Sequence, residues 1–435
     1  MRWPQGTPLF PYGMLNSLRL SMSAAMIACI PAVAVAQDTS DHCRQFGHDY
    51  HYLAKIPACL SFRTDIKTDY RARSSRKELS VDADRDASGA LLSYSLATLG
   101  PDRPLARHLF EFKPLLNFAL LTDQGPLVTS FGFKYQLETP PRRPGDPTNS
   151  FNRTGERTVL EHANVRFWNV MVGVAPSFFD FTPTLGYTTL YASEQSGLLA
   201  AYTHKIGTTD ISVALEDGSY RRLTESAWGA YQTRQFAPDV VGQIRKRFPW
   251  GTVQTAAAVH PVRAIQPAVC CEQVRGEAVG FAVMGGIEAW FDVAGMSAEL
   301  LLNGGFARGS LSYLGVTNYP ADFAISRSGA VFLTDSQAIV AAYAHWWTKQ
   351  FRTVFTFSGF RTKLDTDTFR LSTEGLRLQG AFEYYPQFVP RRRLLLGIEI
   401  NYHDESVGGA SGTSIGRVGN RYFSSLGYAR YRFQR

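Results

Sequence analysis

Alternate residues between Leu60 and Arg73 fall into two chemically different sets. One set is mostly apolar: Leu60, Phe62, Thr64, Ile66, Thr68, Tyr70 and Ala72. The other is mostly charged: Ser61, Arg63, Asp65, Lys67, Asp69, Arg71 and Arg73. A period of two indicates a β-strand, here with one face suited to hydrocarbon and the other to water. One such strand fits either a membrane β-barrel or the edge of a soluble sheet, so repetition must decide.

The alternation recurs to the C-terminus and predicts about sixteen strands, most of them near the roughly 9 to 11 residues that span a bilayer when tilted. Further strands are predicted at residues 110–120, 127–138, 157–168, 169–176, 198–205, 209–217, 240–248, 252–262, 279–290, 297–307, 337–347, 351–361, 374–385, 393–403 and 421–433. Pro114 interrupts the strand predicted at 110–120, where we expect a bulge or a kink.

Short and long connections alternate between these strands. Short turns are predicted near Asp123, Gly207, Trp250, Val293, Lys349 and Val389. Long loops are predicted at residues 74–105, 139–156, 177–197, 218–239, 263–278, 308–336, 362–373 and 404–420. Outer-membrane barrels have short periplasmic turns and longer external loops. We therefore predict an all-β fold, a single transmembrane antiparallel β-barrel.

Composition agrees with this fold. The chain has 435 residues, of which 45% are hydrophobic, and no apolar run approaches the roughly 20 residues that a spanning helix needs. The formal net charge is +8 and the pI about 9.2, which would suit a nucleic-acid partner. The basic residues alternate within strands rather than forming a patch, so we expect no nucleic-acid binding.

Residues 1–36 have the features of a secretory signal. Arg19 precedes an apolar run at residues 22–35, and the small residues Ala34 and Ala36 come just before Gln37. We expect the mature chain to be 37–435, with 37–59 as a periplasmic N-terminal segment and the bacterial outer membrane as its location. Four cysteines remain in that chain, an even number that permits disulfides in an exported protein. They form no cluster with histidines, so we expect no metal and no cofactor.

Several segments, in order along the chain, resemble the alphaproteobacterial general porin family. They are the stretch between Cys43 and Cys59, LEHANVRF at 160–167, VGVAPSFFDF at 172–181, PDVVGQIRKRFPWGTVQTAAAVHPVRA at 238–264, GSLSYLG at 309–315 and VAAYAHWWT at 340–348. The resemblance covers nearly all of the mature chain. It implies a homotrimer of sixteen-stranded barrels, each with a water-filled pore for passive diffusion of small hydrophilic solutes and ions.

Further expectations depend on this resemblance. It implies, together with the export signal, a disulfide between Cys43 and Cys59. It also implies that the third long loop, 177–197, folds inward and narrows the pore, with Asp180 and Glu194 supplying negative charge opposite basic residues of the wall. Cys270 and Cys271 are either free thiols, which we favour, or an adjacent pair.

Alternation along each strand assigns residues to the pore. The predicted pore-lining residues on the wall are Arg63, Asp65, Lys67, Asp69, Arg71, Arg166, Arg245, Arg247, Arg352, Arg377, Arg430 and Arg432. Further inward acids are Glu111, Glu138, Glu299, Glu383 and Glu399. Bases outnumber acids, which predicts a weak preference for anions. Arginines of the external loops are candidate contacts for lipopolysaccharide, beside the lipid around the barrel.

Two other functions compete with a general pore. A solute-specific channel would differ only in loop side chains. An outer-membrane hydrolase would use the G-x-S-x-G pattern at 412–416, but that motif needs a strand-to-helix elbow and here it lies between two predicted strands. We therefore expect no enzymatic activity.

Overall fold

Sixteen long strands form a barrel in the computed structural model, which describes residues 43–47, 49–53, 58–74, 78–85, 91–99, 106–139, 155–181, 193–221, 232–233, 237–266, 274–316, 321–326, 328–389, 393–411 and 414–434. The strands are β1 (Ala58–Arg73), β2 (Ala106–Thr122), β3 (Gly125–Thr139), β4 (Glu156–Phe167), β5 (Val170–Pro176), β6 (Ser196–Ile206), β7 (Thr209–Glu216), β8 (Asp239–Phe248), β9 (Gly251–Gln266), β10 (Val274–Val293), β11 (Met296–Arg308), β12 (Asp335–Trp346), β13 (Phe351–Asp365), β14 (Phe369–Tyr384), β15 (Leu394–Ser411) and β16 (Ser414–Gln434).

The barrel is closed and antiparallel throughout. Each strand pairs with its sequence neighbours, and β1 also pairs with β16 over the register Arg63↔Gln434 to Arg73↔Ser424. Two short strands, His51–Leu53 and Gln232–Thr233, join the sheet at its margins without taking part in closure. The predicted barrel of about sixteen strands is confirmed.

One side of the barrel carries both described chain ends and short turns. Residues 123–124 join β2 to β3, 168–169 join β4 to β5, and 294–295 join β10 to β11. The general rule for such barrels makes this the periplasmic side. On the other side, the long loops predicted at 362–373 and 404–420 are wrong, because β13 ends at Asp365 and β14 begins at Phe369, while β15 ends at Ser411 and β16 begins at Ser414. No helix among the described residues is long and apolar enough to cross a bilayer.

Pro114 disturbs the sheet where a bulge or kink was predicted. The pairing of β2 with β3 stops after Phe112↔Tyr135 and resumes at Leu115↔Gly132, because proline has no N–H to donate to the ladder. On the other side of β3, the register with β4 shifts between Gly132 and Phe133. The two irregularities lie at the same point along β3, on its two sides.

Structure within the external loops goes beyond the prediction. A hairpin of Glu78–Arg85 and Leu91–Leu99 occupies the first long loop, and a smaller one of Phe323–Ile325 and Val331–Leu333 lies between β11 and β12. Strand β10 extends over 20 residues, beyond the stretch predicted from alternation. Such extensions lie outside the bilayer, where no hydrocarbon requires one face to be apolar, so they lack the pattern that identified the spanning parts.

The N-terminal segment packs inside the periplasmic end of the barrel. A disulfide joins Cys43 to Cys59, as predicted, and both residues are fully buried against Ala119 and Val128 on the inner face of β2 and β3. Tyr50 packs against the same cluster. Burial raises the pKa of its phenol, while the Arg166 guanidinium acts in the opposite direction. Cys270 and Cys271 lie outside the described residues.

We predict that the double variant Cys43→Ser, Cys59→Ser is less stable by about 3 kcal/mol, because the crosslink closes a short loop in the unfolded chain. Urea unfolding of the detergent-solubilised barrel measures the difference, with reduced wild-type protein as the control. Peptide mapping without reductant checks the bond itself. A Cys43 that reacts with an alkylating agent before any reductant is added would contradict the prediction.

Candidate functional site

The inner wall of the barrel is the charged face of its strands. On β15, Leu396, Ile398 and Ile400 are 41%, 60% and 54% exposed, whereas the intervening Glu399 and Asn401 are each 1% exposed. Exposed apolar side chains in a barrel of this kind face lipid, so the alternate positions face the lumen. Strand β1 follows the same rule, with Tyr70 outward and Asp69 buried inside.

Most of the predicted inward arginines on β13 to β16 are held by acids of neighbouring strands. Arg430 and Arg432 bind the two oxygens of Asp65 at 3.1 and 3.0 Å. Arg377 contacts Glu399 at 3.3 Å and donates to the Asn401 side chain at 3.0 Å. The buried side chain of Arg352 donates to Glu383.

The other predicted wall residues are less uniformly paired. Lys67 lies 3.4 Å from Asp69, and Arg247 lies 2.6 Å from Asp210. Arg245 donates to the amide oxygen of Gln254 at 2.7 Å. Among the described residues, no acid forms an ion pair with Arg63, Arg71, Arg166 or Arg245.

The loop after β5 enters the barrel and forms hydrogen bonds with the wall, mostly through its backbone. Ser177 Oγ and the Phe178 N–H both donate to the carboxylate of Glu216, at 2.7 and 2.9 Å. The side-chain amide of Gln243 donates to the Phe178 carbonyl at 2.6 Å, and that of Gln254 to the Asp180 carbonyl at 3.1 Å. The middle of the predicted constriction loop, residues 182–192, lies outside the described residues.

Asp180 lies within this loop, but its carboxylate contacts a second loop rather than the basic wall. Arg221, just after β7, contacts one oxygen at 2.9 Å, and the Gln195 N–H donates to the other at 2.7 Å. Both ionic side chains are 3% exposed. Burial by itself lowers the pKa of Arg221, but Asp180 together with Tyr313 and Glu216 outweighs burial, and the pKa is raised. Arg221 therefore neutralises Asp180, while Glu194 is exposed.

A third loop completes the assembly with Tyr313, which is 1% exposed. Its ring makes an edge contact with Phe179 at 4.7 Å between centroids and lies 4.1 Å from the Arg221 guanidinium. Its hydroxyl donates to Asp239 at 2.6 Å, and His260 Nδ1 lies 2.9 Å from the same carboxylate. Burial raises the pKa of the Tyr313 phenol; Arg221 lowers it and Asp239 raises it further, so the phenol stays protonated at neutral pH.

Sequence reasoning missed the part that the second and third loops play. The segment GSLSYLG, which contains Tyr313, was visible as a family motif but had no assigned role. Nothing local marked Arg221, since its partner Asp180 is 41 residues away.

Small residues on the inner wall make room for the three loops. The buried cluster around Phe179, Phe181 and Tyr313 includes many alanines of β6 to β12. They are Ala201, Ala214, Ala256, Ala258, Ala282, Ala307, Ala338, Ala342 and Ala344. A Cβ added at Gly286 would lie only 2.5 Å from the Phe181 ring. The loops thus cover the alanine-rich wall, and the predicted inward residues of β13 to β16 and β1 remain mostly charged.

Residues 121–386, more than half of the chain, match the family model described as Porin subfamily. The chain belongs to this porin family. The comparison with curated proteins finds no match to the sequence.

Solved structures with a similar fold include outer-membrane proteins of other bacteria. The outer membrane channel DcaP of Acinetobacter baumannii is 12% identical, with a TM-score of 0.61 over 88% of this porin and 99% of DcaP. OmpT of Vibrio cholerae is 8% identical, with a TM-score of 0.47 over 88% and 100%. An anion-selective porin from Comamonas acidovorans is 10% identical, with a TM-score of 0.42 over 86% and 99%.

The family and the fold establish the general role of the porin. It lies in the bacterial outer membrane and forms a channel for passive diffusion of solutes. The competing serine motif has no strand-to-helix elbow around its nucleophile position. Ser414 pairs with Ser411 where β15 turns into β16, so it lies at the tip of a β-hairpin.

We predict that Arg221→Met destabilises the porin by about 3 to 5 kcal/mol, because it leaves the buried Asp180 carboxylate without its partner. Unfolding in urea measures the loss, and single-channel recordings should show noisier current as the loop loosens.

The matched control is Arg370→Gln, which breaks the exposed 2.7 Å pair with Asp365. Exposed pairs contribute at most about 1 kcal/mol, so this variant should behave nearly as wild type. Equal losses in the two variants would show that the buried pair does not hold the loop.

Proposed function

We propose that this porin is a trimeric general-diffusion channel of the alphaproteobacterial type, with a weak preference for anions. This preference is supported by a difference between the inward acids and the inward bases: the acids named below form ion pairs, whereas several of the arginines form none. The acids Asp65, Asp69, Glu383 and Glu399 are all ion-paired. Glu111 and Glu138 also have basic partners, Lys113 at 3.2 Å and Arg107 at 2.8 Å.

Four inward arginines form no ion pair with an acid among the described residues: Arg63, Arg71, Arg166 and Arg245. Two of them are balanced in part from a greater distance, Arg71 by Asp69 and Arg245 by Asp210 and Glu288. A closely paired acid and base attract ions only weakly, whereas an uncompensated charge acts along the pore. The wall therefore keeps a positive potential. The Asp180 carboxylate does not oppose it, because Arg221 neutralises that charge.

The outer surface of the barrel indicates which molecules it contacts in the proposed trimer. Outward residues such as Phe355, Phe382 and Ile398 are more than half exposed and suit contact with lipid or a second copy. Basic residues at the external ends of strands, such as Arg421, suit the phosphates of lipopolysaccharide.

A solute-specific channel is the second candidate, and one observation favours it. Three loops meet inside the barrel through Asp180, Arg221 and Tyr313, where a general pore needs only one to narrow the lumen. The two functions differ in a simple way. Conductance rises in proportion to salt concentration in a general pore and saturates in a pore with a binding site for the ion.

We predict that reversal potentials in a KCl gradient across a planar bilayer have the sign expected for a channel that passes chloride more readily than potassium. If the porin inserts as a trimer, its conductance should change in groups of three equal steps, one for each pore. Arg63→Gln, which removes one uncompensated charge, should weaken the chloride preference without changing the trimeric steps. Cation selectivity in the wild-type channel would overturn the proposed anion preference.

A further inference from the structure

We propose that the lumen contains a discrete binding subsite for the oxyanion of a small solute, a carboxylate or a phosphate, centred on Arg71. This inference rests on the proposed anion-preferring pore and deepens it, since it assigns part of the preference to one place on the wall. The subsite lies where β14, β15, β16, β1 and β2 are consecutive in the sheet.

Basic side chains converge on this place from several strands. Arg71 on β1 is directly opposite Arg107 on β2, and Arg377 on β14 is directly opposite His403 on β15. Arg73 follows Arg71 on the same face of β1. The charges of Arg107, Arg377 and Arg73 all act on Arg71, as does the opposite charge of Asp69, so three guanidinium groups lie within electrostatic reach of the Arg71 guanidinium.

The acids near these groups are already engaged. Glu138 lies 2.8 Å from Arg107, Glu399 lies 3.3 Å from Arg377, and Asp69, the acid closest in sequence to Arg71, lies 3.4 Å from Lys67. Arg71 forms no ion pair and no hydrogen bond with any described residue. It therefore lies in a crowded basic region, where the charge of Asp69 offsets part of the positive charge.

Buried polar atoms at the same place lack hydrogen-bond partners. Arg71 Nε, Arg107 Nε and His403 Nδ1 are all buried without one. Such atoms are rare in folded proteins, because each one loses its contacts with water and gains nothing in return. A ligand that accepts hydrogen bonds and carries negative charge is the kind of group that guanidinium donors bind.

Neighbouring rings and hydroxyls hold the basic groups in position. His403 stacks on Tyr422 at 4.3 Å between ring centroids, and its Nε2 lies 3.1 Å from Ser424 Oγ. The Arg73 guanidinium lies over the Tyr422 ring at 5.7 Å. Fixed groups bind with less loss of side-chain entropy than flexible ones, so the arrangement favours binding over mere attraction.

The chemistry of the donors selects the class of ligand. A guanidinium presents parallel N–H donors in a planar fork that matches two oxygens of a carboxylate or phosphate. Chloride is attracted by the same charge but accepts no such paired geometry. Cations are repelled there, and neutral sugars accept hydrogen bonds but add no charge attraction. Small organic acids and phosphate esters are therefore the solutes that the subsite would retain.

The test uses the whole porin in a phosphatidylcholine bilayer that contains no anionic lipid. Succinate and inorganic phosphate are titrated separately into fixed KCl, and the concentration that halves the single-channel current is measured for each. We expect block in the wild type, and for Arg71→Gln a half-blocking concentration about tenfold higher, the loss of one hydrogen-bonded charge contact. Arg71→Lys, which keeps the charge and loses the fork, should fall between them.

Arg63→Gln is the matched control, because it removes another uncompensated arginine from the same strand. It should shift the reversal potential and leave the half-blocking concentration of succinate unchanged. Block that only succinate or only phosphate produces, and that Arg71→Gln weakens, supports the subsite and identifies its ligand.

Three outcomes would overturn the subsite: no block in an anion-preferring wild type, equal block in Arg71→Gln, or equal weakening by Arg63→Gln. In each of these the proposed anion preference survives, because KCl reversal potentials measure it independently. Normal open-channel conductance of each variant in KCl alone shows that it has folded.

Discussion

Closure of the sheet between β1 and β16 is the constraint on which the rest of the structure depends. In hydrocarbon no water replaces a missing backbone hydrogen bond, so a spanning sheet must have no free edge. The pairing of residues 63–73 with 424–434 joins the two ends of the chain and removes that edge. It also brings Asp65 into contact with Arg430, which lies 365 positions away in the sequence. The need to pair every backbone hydrogen-bonding group thus determines which side chains become neighbours in the lumen.

A closed barrel of this size encloses more space than side chains alone can fill. The porin divides this space by residue size. Alanines on the inner face of β6 to β12 leave room for the three loops, whose contacts combine apolar packing around Tyr313 with the buried pair of Asp180 and Arg221. The rest of the wall carries charges, many of them held in ion pairs between strands. One side of the lumen is therefore packed against loops, and the other is lined by paired charges.

The sequence predicted most of the fold because a membrane imposes its pattern strand by strand. Alternation located all sixteen strands, and even the disturbance at Pro114 could be expected from proline chemistry. The functional site was harder to predict from the sequence than the fold. Alternation assigns Arg71 and Arg430 to the same face and cannot tell that Asp65 binds Arg430 while no acid in the described part of the chain forms an ion pair with Arg71. Partners depend on register across distant strands, and the role of Arg221 depends on how two loops meet, neither of which leaves a local pattern.

Pairing also separates stability from selectivity on the charged wall. An arginine bound to an acid gains electrostatic energy and satisfies its donors, but the pair has little net charge with which to attract a solute. Arg352 with Glu383 is of this kind. An arginine without an ion pair costs stability through desolvation and repulsion from its neighbours, and no adjacent acid cancels its potential. If the proposed anion preference holds, the positions without ion pairs are the ones at which the wall attracts anions.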